Sequence, residues 1–175
     1  MINTLKKMKY SNIETSNYLQ FIGSKYKIKI DESCNPSLQV IFKNEGGKGS
    51  FQASERIVSL DCIETKIAKK IKSNKGSTMD MAFIVAQNKK KKLLFTDFKL
   101  RVKPNLSSIK KTDILKKLSN SKSRYRLNYE LCNDVYFVFN KNITKQAQSR
   151  LKYLFGAKTQ NTSISIHDFY NLLFD

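Results

Sequence analysis

Apolar and polar positions along the chain follow two periods, and the switches between them divide it into elements. Residues 4–22 carry a weakly amphipathic helical pattern. Residues 24–30 (SKYKIKI) alternate with period two and predict a strand. A turn over 31–36 and a second strand over 37–43 (SLQVIFK) follow, so the N-terminal part reads as a helix and a hairpin. Residues 44–50 (NEGGKGS) hold three of the six glycines and predict a loop. That loop lacks the GxxxxGK[ST] spacing of a phosphate-binding loop.

Residues 54–72 give the clearest helical pattern, with Ser54 as N-cap, Glu55 in the first turn, and Ile57, Leu60, Ile63, Ile67 and Ile71 as one stripe. The chain breaks at 73–77. Strands over 78–87 and 92–102, joined by a tight turn at 88–91, form a hairpin with a very basic tip, ended by Pro104. A basic helix over 107–119, with Ser107 or Ser108 as cap, continues with an interruption to Tyr129. Residues 135–139 (VYFVF) read as a buried strand, 143–155 as a helix closed by Gly156, 163–166 as a short strand or turn, and 168–174 as a terminal helix. This order predicts an α/β (α+β) domain with a mixed central sheet flanked by helices.

Composition adds the partner. The 175 residues suit a single domain over 1–175, and 40% apolar content with 11 Phe and 8 Tyr excludes wholesale disorder. The net charge of +19 calls for an anionic partner. Of the 33 basic residues 28 are Lys, which a compositional bias would scatter, but they are not scattered. Residues 66–126 hold 19 Lys/Arg against three acids, a net +16, and leave only +3 for the rest of the chain. Nucleic acid leads the candidate partners, DNA ahead of RNA, followed by an acidic protein.

Other classes recede. The start MINTLKKMKY has no apolar core of a secretory signal, no apolar run is long enough for a bilayer, and a cytoplasmic protein without a membrane partner is expected. Residues 106–118 form only a modest amphipathic face for a membrane surface. Cys34, Cys62 and Cys132 are widely spaced, form no CxxC pair and, with His167 alone, make no zinc set; they read as reduced thiols. One histidine leaves little room for Ser-His-Asp or Cys-His catalysis.

The acids carry the candidate chemistry. Asp80 opens the first strand of the basic-tipped hairpin, and Asp97 lies inside the second, in LLFTDFKL. A carboxylate in so apolar a strand must be paired or bind a metal. Alternation places Asp97 and Lys99 on one face, with Arg101 next, and Phe98 and Leu100 on the other. At 100° per residue Glu64 lies about 40° from the centre of the isoleucine stripe, and Glu55 about 140° away. Glu64 is therefore core-facing, Glu55 a solvated first-turn residue, and Asp61 an edge position. Structural pairing with Lys99, Arg101 or a strand lysine competes with a functional role for each acid.

Asp80, then Asp97-Phe98-Lys99 sixteen residues on, with Glu64 on the preceding helix, resembles the PD-(D/E)xK nuclease superfamily. Met79 stands where that family often has Pro, and Asp97 where Glu is commoner. The resemblance covers residues 54–139, flanked by an extension over 1–50 and by C-terminal helices over 143–175. It implies a restriction-endonuclease-like αβββαβ core and metal-assisted hydrolysis of nucleic-acid phosphodiesters. Asp80 and Asp97 would hold Mg²⁺ or Mn²⁺, Glu64 would complete or orient the coordination, and Lys99 would activate water and stabilise charge. Lys89, Lys90, Lys91, Lys92, Arg101, Lys103, Lys110, Lys111, Lys117, Arg124 and Arg126 would then hold the phosphate backbone, and Tyr125 and Tyr129 lie among them for stacking or core. The alternative is a non-catalytic protein on the same scaffold: a nucleic-acid-binding module, or an immunity or antitoxin protein neutralising an acidic toxin. A homodimer is compatible with either.

Overall fold

The basic-tipped hairpin is the centre of the sheet. In the computed structural model, which describes residues 8–175, strands β3 (Met81–Gln87) and β4 (Lys90–Phe98) pair antiparallel from Gln87↔Lys90 to Met81↔Thr96. Asn88 and Lys89 both take positive φ (53° and 62°), the geometry of a two-residue turn that follows the twist of the strands. The turn is thus shorter than the expected 88–91, and the strand resumes at Lys90.

Around this pair the chain builds one mixed seven-stranded sheet in the order β1 (Lys9–Tyr10), β3, β4, β6 (Val135–Phe139), β7 (Asn161–Ser165). The two-residue strands β2 (Val58–Ser59) and β5 (Glu130–Leu131) add to β3 and β4. Strand β4 runs parallel to β6, and β6 to β7, through helical crossovers. Helices α1 (Asn12–Tyr26), α3 (Leu60–Ile71), α4 (Lys111–Tyr125) and α5 (Thr144–Phe155) cover one face. Helices α2 (Leu38–Asn44) and α6 (Ile166–Phe174) cover the other. The expected mixed α/β class is the observed one, but the αβββαβ order is not, since only β3 and β4 lie between α3 and α4. No helix among the described residues is long and apolar enough to cross a membrane.

The N-terminal hairpin is not formed. Helix α1, capped by Ser11, runs on to Tyr26 and buries Tyr18, Leu19 and Ile22, until Lys27 in the left-handed region ends it. The alternation after it is real as burial: Tyr26, Ile28 and Ile30 are half-buried against the core. It forms no ladder, because the Ile28 amide turns back to the Gly23 carbonyl at 3.0 Å. Residues 37–43, expected as a strand, form α2 instead. Leu38, Ile41 and Phe42 are buried at spacings of three and four, and Ser37 caps the helix. That spacing outweighs the β-branched pair Val40-Ile41. Of the expected 4–22 helix, residues 4–7 lie outside the described residues, Lys9–Tyr10 pair with β3 as β1, and the helix begins only at Asn12.

Helices α3 and α4 also start late. Ser59 rather than Ser54 caps α3, because residues 53–57 are extended, with Ala53 and Glu55 carbonyls accepting from the start of α2. Ile57 is buried from this extended segment, and Ile71 ends up exposed. Helix α4 starts at Lys111, since residues 103–109 turn to bury Leu106 and Ile109; neither Ser107 nor Ser108 caps it.

Candidate functional site

Strand alternation aims the two acids. Ala82 and Ile84 of β3, and Leu93 and Phe95 of β4, face the core layer beneath α1, α3, α4 and α5. Asp80 and Asp97 continue those two rows. The register Met81↔Thr96, carried one step further, sets Asp80 opposite Asp97 at the open end of the hairpin. The Phe98 amide donates to Asp80 Oδ2 at 2.6 Å and fixes its carboxylate there.

Asp97 is fully buried, and each of its oxygens meets a lysine. Lys99 Nζ donates to Oδ2, and Lys117 Nζ donates to Oδ1 at 2.7 Å. Lys117 Nζ also lies 3.5 Å from Asp80 Oδ1. Burial alone would raise the Asp97 pKa, but the two ammonium groups outweigh it and hold the carboxyl below its ordinary value. Burial and the adjacent Asp97 charge push Asp80 the other way, up to about 8. The two facing carboxyls are thus shifted in opposite directions, the more exposed one upward and the one held by two lysines downward. Burial works against the Lys117 charge, yet Asp97 and Asp80 together raise its pKa.

Helix α4 closes the site from above. Ile114, Leu118, Ser121 and Tyr125 point into the core at spacings of three and four, and Lys117 and Arg124 flank that stripe. Ser121 Oγ accepts the buried Met79 amide at 2.9 Å, and Asn120 donates to the Ser77 carbonyl at 2.8 Å. One helix face thus grips the chain that leads into Asp80.

Glu64 is buried as the helical arithmetic requires, 1% exposed, but it joins a different cluster. Tyr125 Oη donates to its Oε1, while Arg124 Nη1 and the Gly76 amide donate to its Oε2 at 3.0 and 3.1 Å. Glu64, Asp80 and Asp97 do not gather their oxygens within 4.8 Å; among the described residues that closeness is reached by Asp31, Cys34 and Cys62. Glu64 therefore ties α3 to α4. Glu55, expected in a solvated helix turn, is half-buried in the extended segment and accepts from Tyr170 Oη at 2.8 Å.

The basic residues divide into groups. Lys89–Lys92 sit at the hairpin tip, and seven residues of β3 at about 3.3 Å each separate them from the acids by about 20 Å. There Lys91 pairs with Glu14, and Lys90 and Lys92 with Glu130. Arg101 Nη2 donates to the Asn44 carbonyl at 2.6 Å and, with Lys48, Lys103 and Lys141, lines a groove of about 680 Å³ that has no acidic residue in its walls. Lys110 precedes α4, and Lys111 Nζ lies over the Phe155 ring at 5.6 Å. Arg126 Nε donates to the Tyr129 carbonyl at 3.2 Å. Tyr125 is fully buried, and Tyr129 packs edge-on against Tyr18. Lys117, expected among the backbone-binding lysines, instead bridges both aspartates. The signal for that was its place one turn before Ser121 on the buried side of α4.

No protein family, curated protein or solved structure matches this chain.

Proposed function

We propose that this chain is a divalent-metal-dependent hydrolase of nucleic-acid phosphodiesters, with Asp80, Asp97 and Lys99 at its centre. The observation that carries this reading is the placement of Asp80 opposite Asp97, with Lys99 on the Asp97 carboxylate. Similarity of this spacing to the PD-(D/E)xK pattern supports it.

The donor set fits a hard cation. Two carboxyls face each other, and two ammonium groups balance their charge. A divalent ion suits the same charge with oxygen ligands. Asp80 and Asp97 would hold Mg²⁺ or Mn²⁺, which when bound lowers the pKa of a water and polarises the scissile phosphate. Lys99, freed from Asp97, is placed to stabilise negative charge developing on that phosphate. Lys117 bridges the two carboxyls and compensates their charge. Glu64 acts as a positioning residue: through Arg124 and Tyr125 it sets the height of α4 and so the reach of Lys117. The hairpin tip, about 20 Å from the acids, would contact phosphates about six base steps of duplex from the one at Asp80 and Asp97, and the basic groove at Arg101 and Lys103 would contact others.

The test is cleavage of end-labelled DNA and RNA in Mg²⁺ or Mn²⁺. Wild type cleaves only with the metal, and Asp97→Ala or Lys99→Ala loses at least about 100-fold of the rate with far-UV circular dichroism unchanged. Salt-sensitive binding without cleavage overturns catalysis. That result would select the second reading, a nucleic-acid-binding scaffold, which the lysine on each Asp97 oxygen favours.

A further inference from the structure

The three cysteines, too far apart in sequence for a zinc motif, are not all apart in space. Cys34 ends the 3-10 turn Glu32–Cys34, and Cys62 lies in the first turn of α3. The fold brings their sulfurs to 2.9 Å across 28 residues of chain. Asp31 caps that 3-10 turn, and its carboxylate completes a set whose ligand atoms all lie within 4.8 Å of one another. The Ser33 hydroxyl bridges the set: it donates to Asp31 Oδ1 and lies 3.1 Å from Cys62 Sγ. Lys66 holds the other carboxylate oxygen and so fixes the rotation of the side chain. Cys34 is buried, whereas Cys62 borders an open cavity of about 780 Å³ shared with Glu32, Ser33 and Asp61.

We propose that Asp31, Cys34 and Cys62 form a binding site for a thiophilic divalent cation of the zinc class, independent of the Asp80–Asp97 pair. Two thiolates and one carboxylate are a borderline-soft donor set, unlike the all-oxygen set at Asp80 and Asp97. Three protein ligands beside an open cavity leave the fourth tetrahedral position to water or a small ligand. Two sulfurs on one zinc lie about 3.8 Å apart for a Zn–S bond of about 2.3 Å, so the pair opens by about 0.9 Å to admit the ion. Binding breaks two S–H bonds, forms two metal–sulfur bonds and releases two protons; no electrons are transferred. The alternative fate of two adjacent thiols is a disulfide, but a disulfide has no use for a carboxylate within 4.8 Å of both sulfurs.

The whole chain, reduced and stripped with chelator, is titrated with Co²⁺ as a spectroscopic probe. One equivalent should produce a sulfur-to-cobalt charge-transfer band with tetrahedral d–d absorption, and one equivalent of Zn²⁺ should bleach both. Cys62→Ser abolishes the charge-transfer band and Cys132→Ser keeps it. Asp31→Asn, a substitution at an exposed side chain that leaves the core intact, keeps the band but weakens Co²⁺ about ten- to hundred-fold. A wild-type chain without the band overturns the site, as does a band that survives Cys62→Ser or an affinity unchanged in Asp31→Asn. Oxidation of the Cys34–Cys62 thiols by glutathione disulfide, with no cobalt taken up beforehand, overturns it in favour of a redox pair.

Discussion

Replacing Asp80 with Asn separates the charge of the acid pair from its shape. Asn keeps the acceptor that the Phe98 amide uses and offers a donor toward Asp97, as the protonated acid does. It removes only the ability to ionise. In the folded chain Asp80 titrates at about 8 against an ordinary value of 3.8, so between those values the native state binds a proton that the unfolded chain has lost. An acid with a raised native pKa contributes stability that is complete at low pH and falls as pH rises through the native value. Each unit is worth about 1.4 kcal/mol, so from pH 5 to pH 8 the wild type should lose up to about 4 kcal/mol that the Asn variant retains. Asp97, with its pKa held below the ordinary value, contributes in the opposite sense, but its window lies below pH 4 and does not overlap. Urea unfolding of both proteins at half-unit steps of pH measures this directly. The Asn variant should gain stability over the wild type steadily from pH 5 to pH 8. A difference that stays constant across that range refutes the raised Asp80 pKa, and means Lys99 and Lys117 keep both carboxyls ionised throughout.

Other expected outcomes follow from the clamp on α4 and from the tip. Tyr125→Phe removes a donor from buried Glu64 and should cost about 1–3 kcal/mol in urea unfolding, and a neutral result would mean Arg124 and the Gly76 amide suffice. Ser121→Ala leaves the buried Met79 amide without its acceptor and should cost a similar amount, about 1–3 kcal/mol. Gly76→Ala puts a methyl 2.6 Å from Glu64 Oε2 and 2.8 Å from Arg124 Nη1, so a drop in melting temperature is expected, and an unchanged one would show that the loop yields freely. Lys89→Ala with Lys90→Ala should reduce the slope of log affinity against log salt by about two for duplex DNA; an unchanged slope removes the hairpin tip from the binding surface.

The hairpin expected over 78–102 is present, narrowed to β3 (Met81–Gln87) and β4 (Lys90–Phe98) with residues 99–102 outside the strand, because a hairpin is local. Its turn, its alternation and its register lie within one stretch of chain, so the period-two pattern alone aimed Asp80, Asp97 and Lys99 to one side. Strand β6 and helix α5 were legible for the same reason, from an apolar run and from a stripe closed by Gly156. The N-terminal part was not, because its patterns are ambiguous at short range. The same SLQVIFK is a plausible strand until Leu38, Ile41 and Phe42 find a core on one side.

The mixed α/β order, the concentration of charge over residues 66–126, the burial of Glu64 and the common face of Asp97 and Lys99 follow from composition and backbone period. What each charge meets follows from the packing of the folded chain. It placed Lys117 across both aspartates, gave Glu64 to Tyr125 and Arg124, set the tip lysines about 20 Å away from the acids, and brought Cys34 to Cys62. Side-chain partners separated by 20 to 60 residues are set by helix height and loop path, which the packing of the whole core determines.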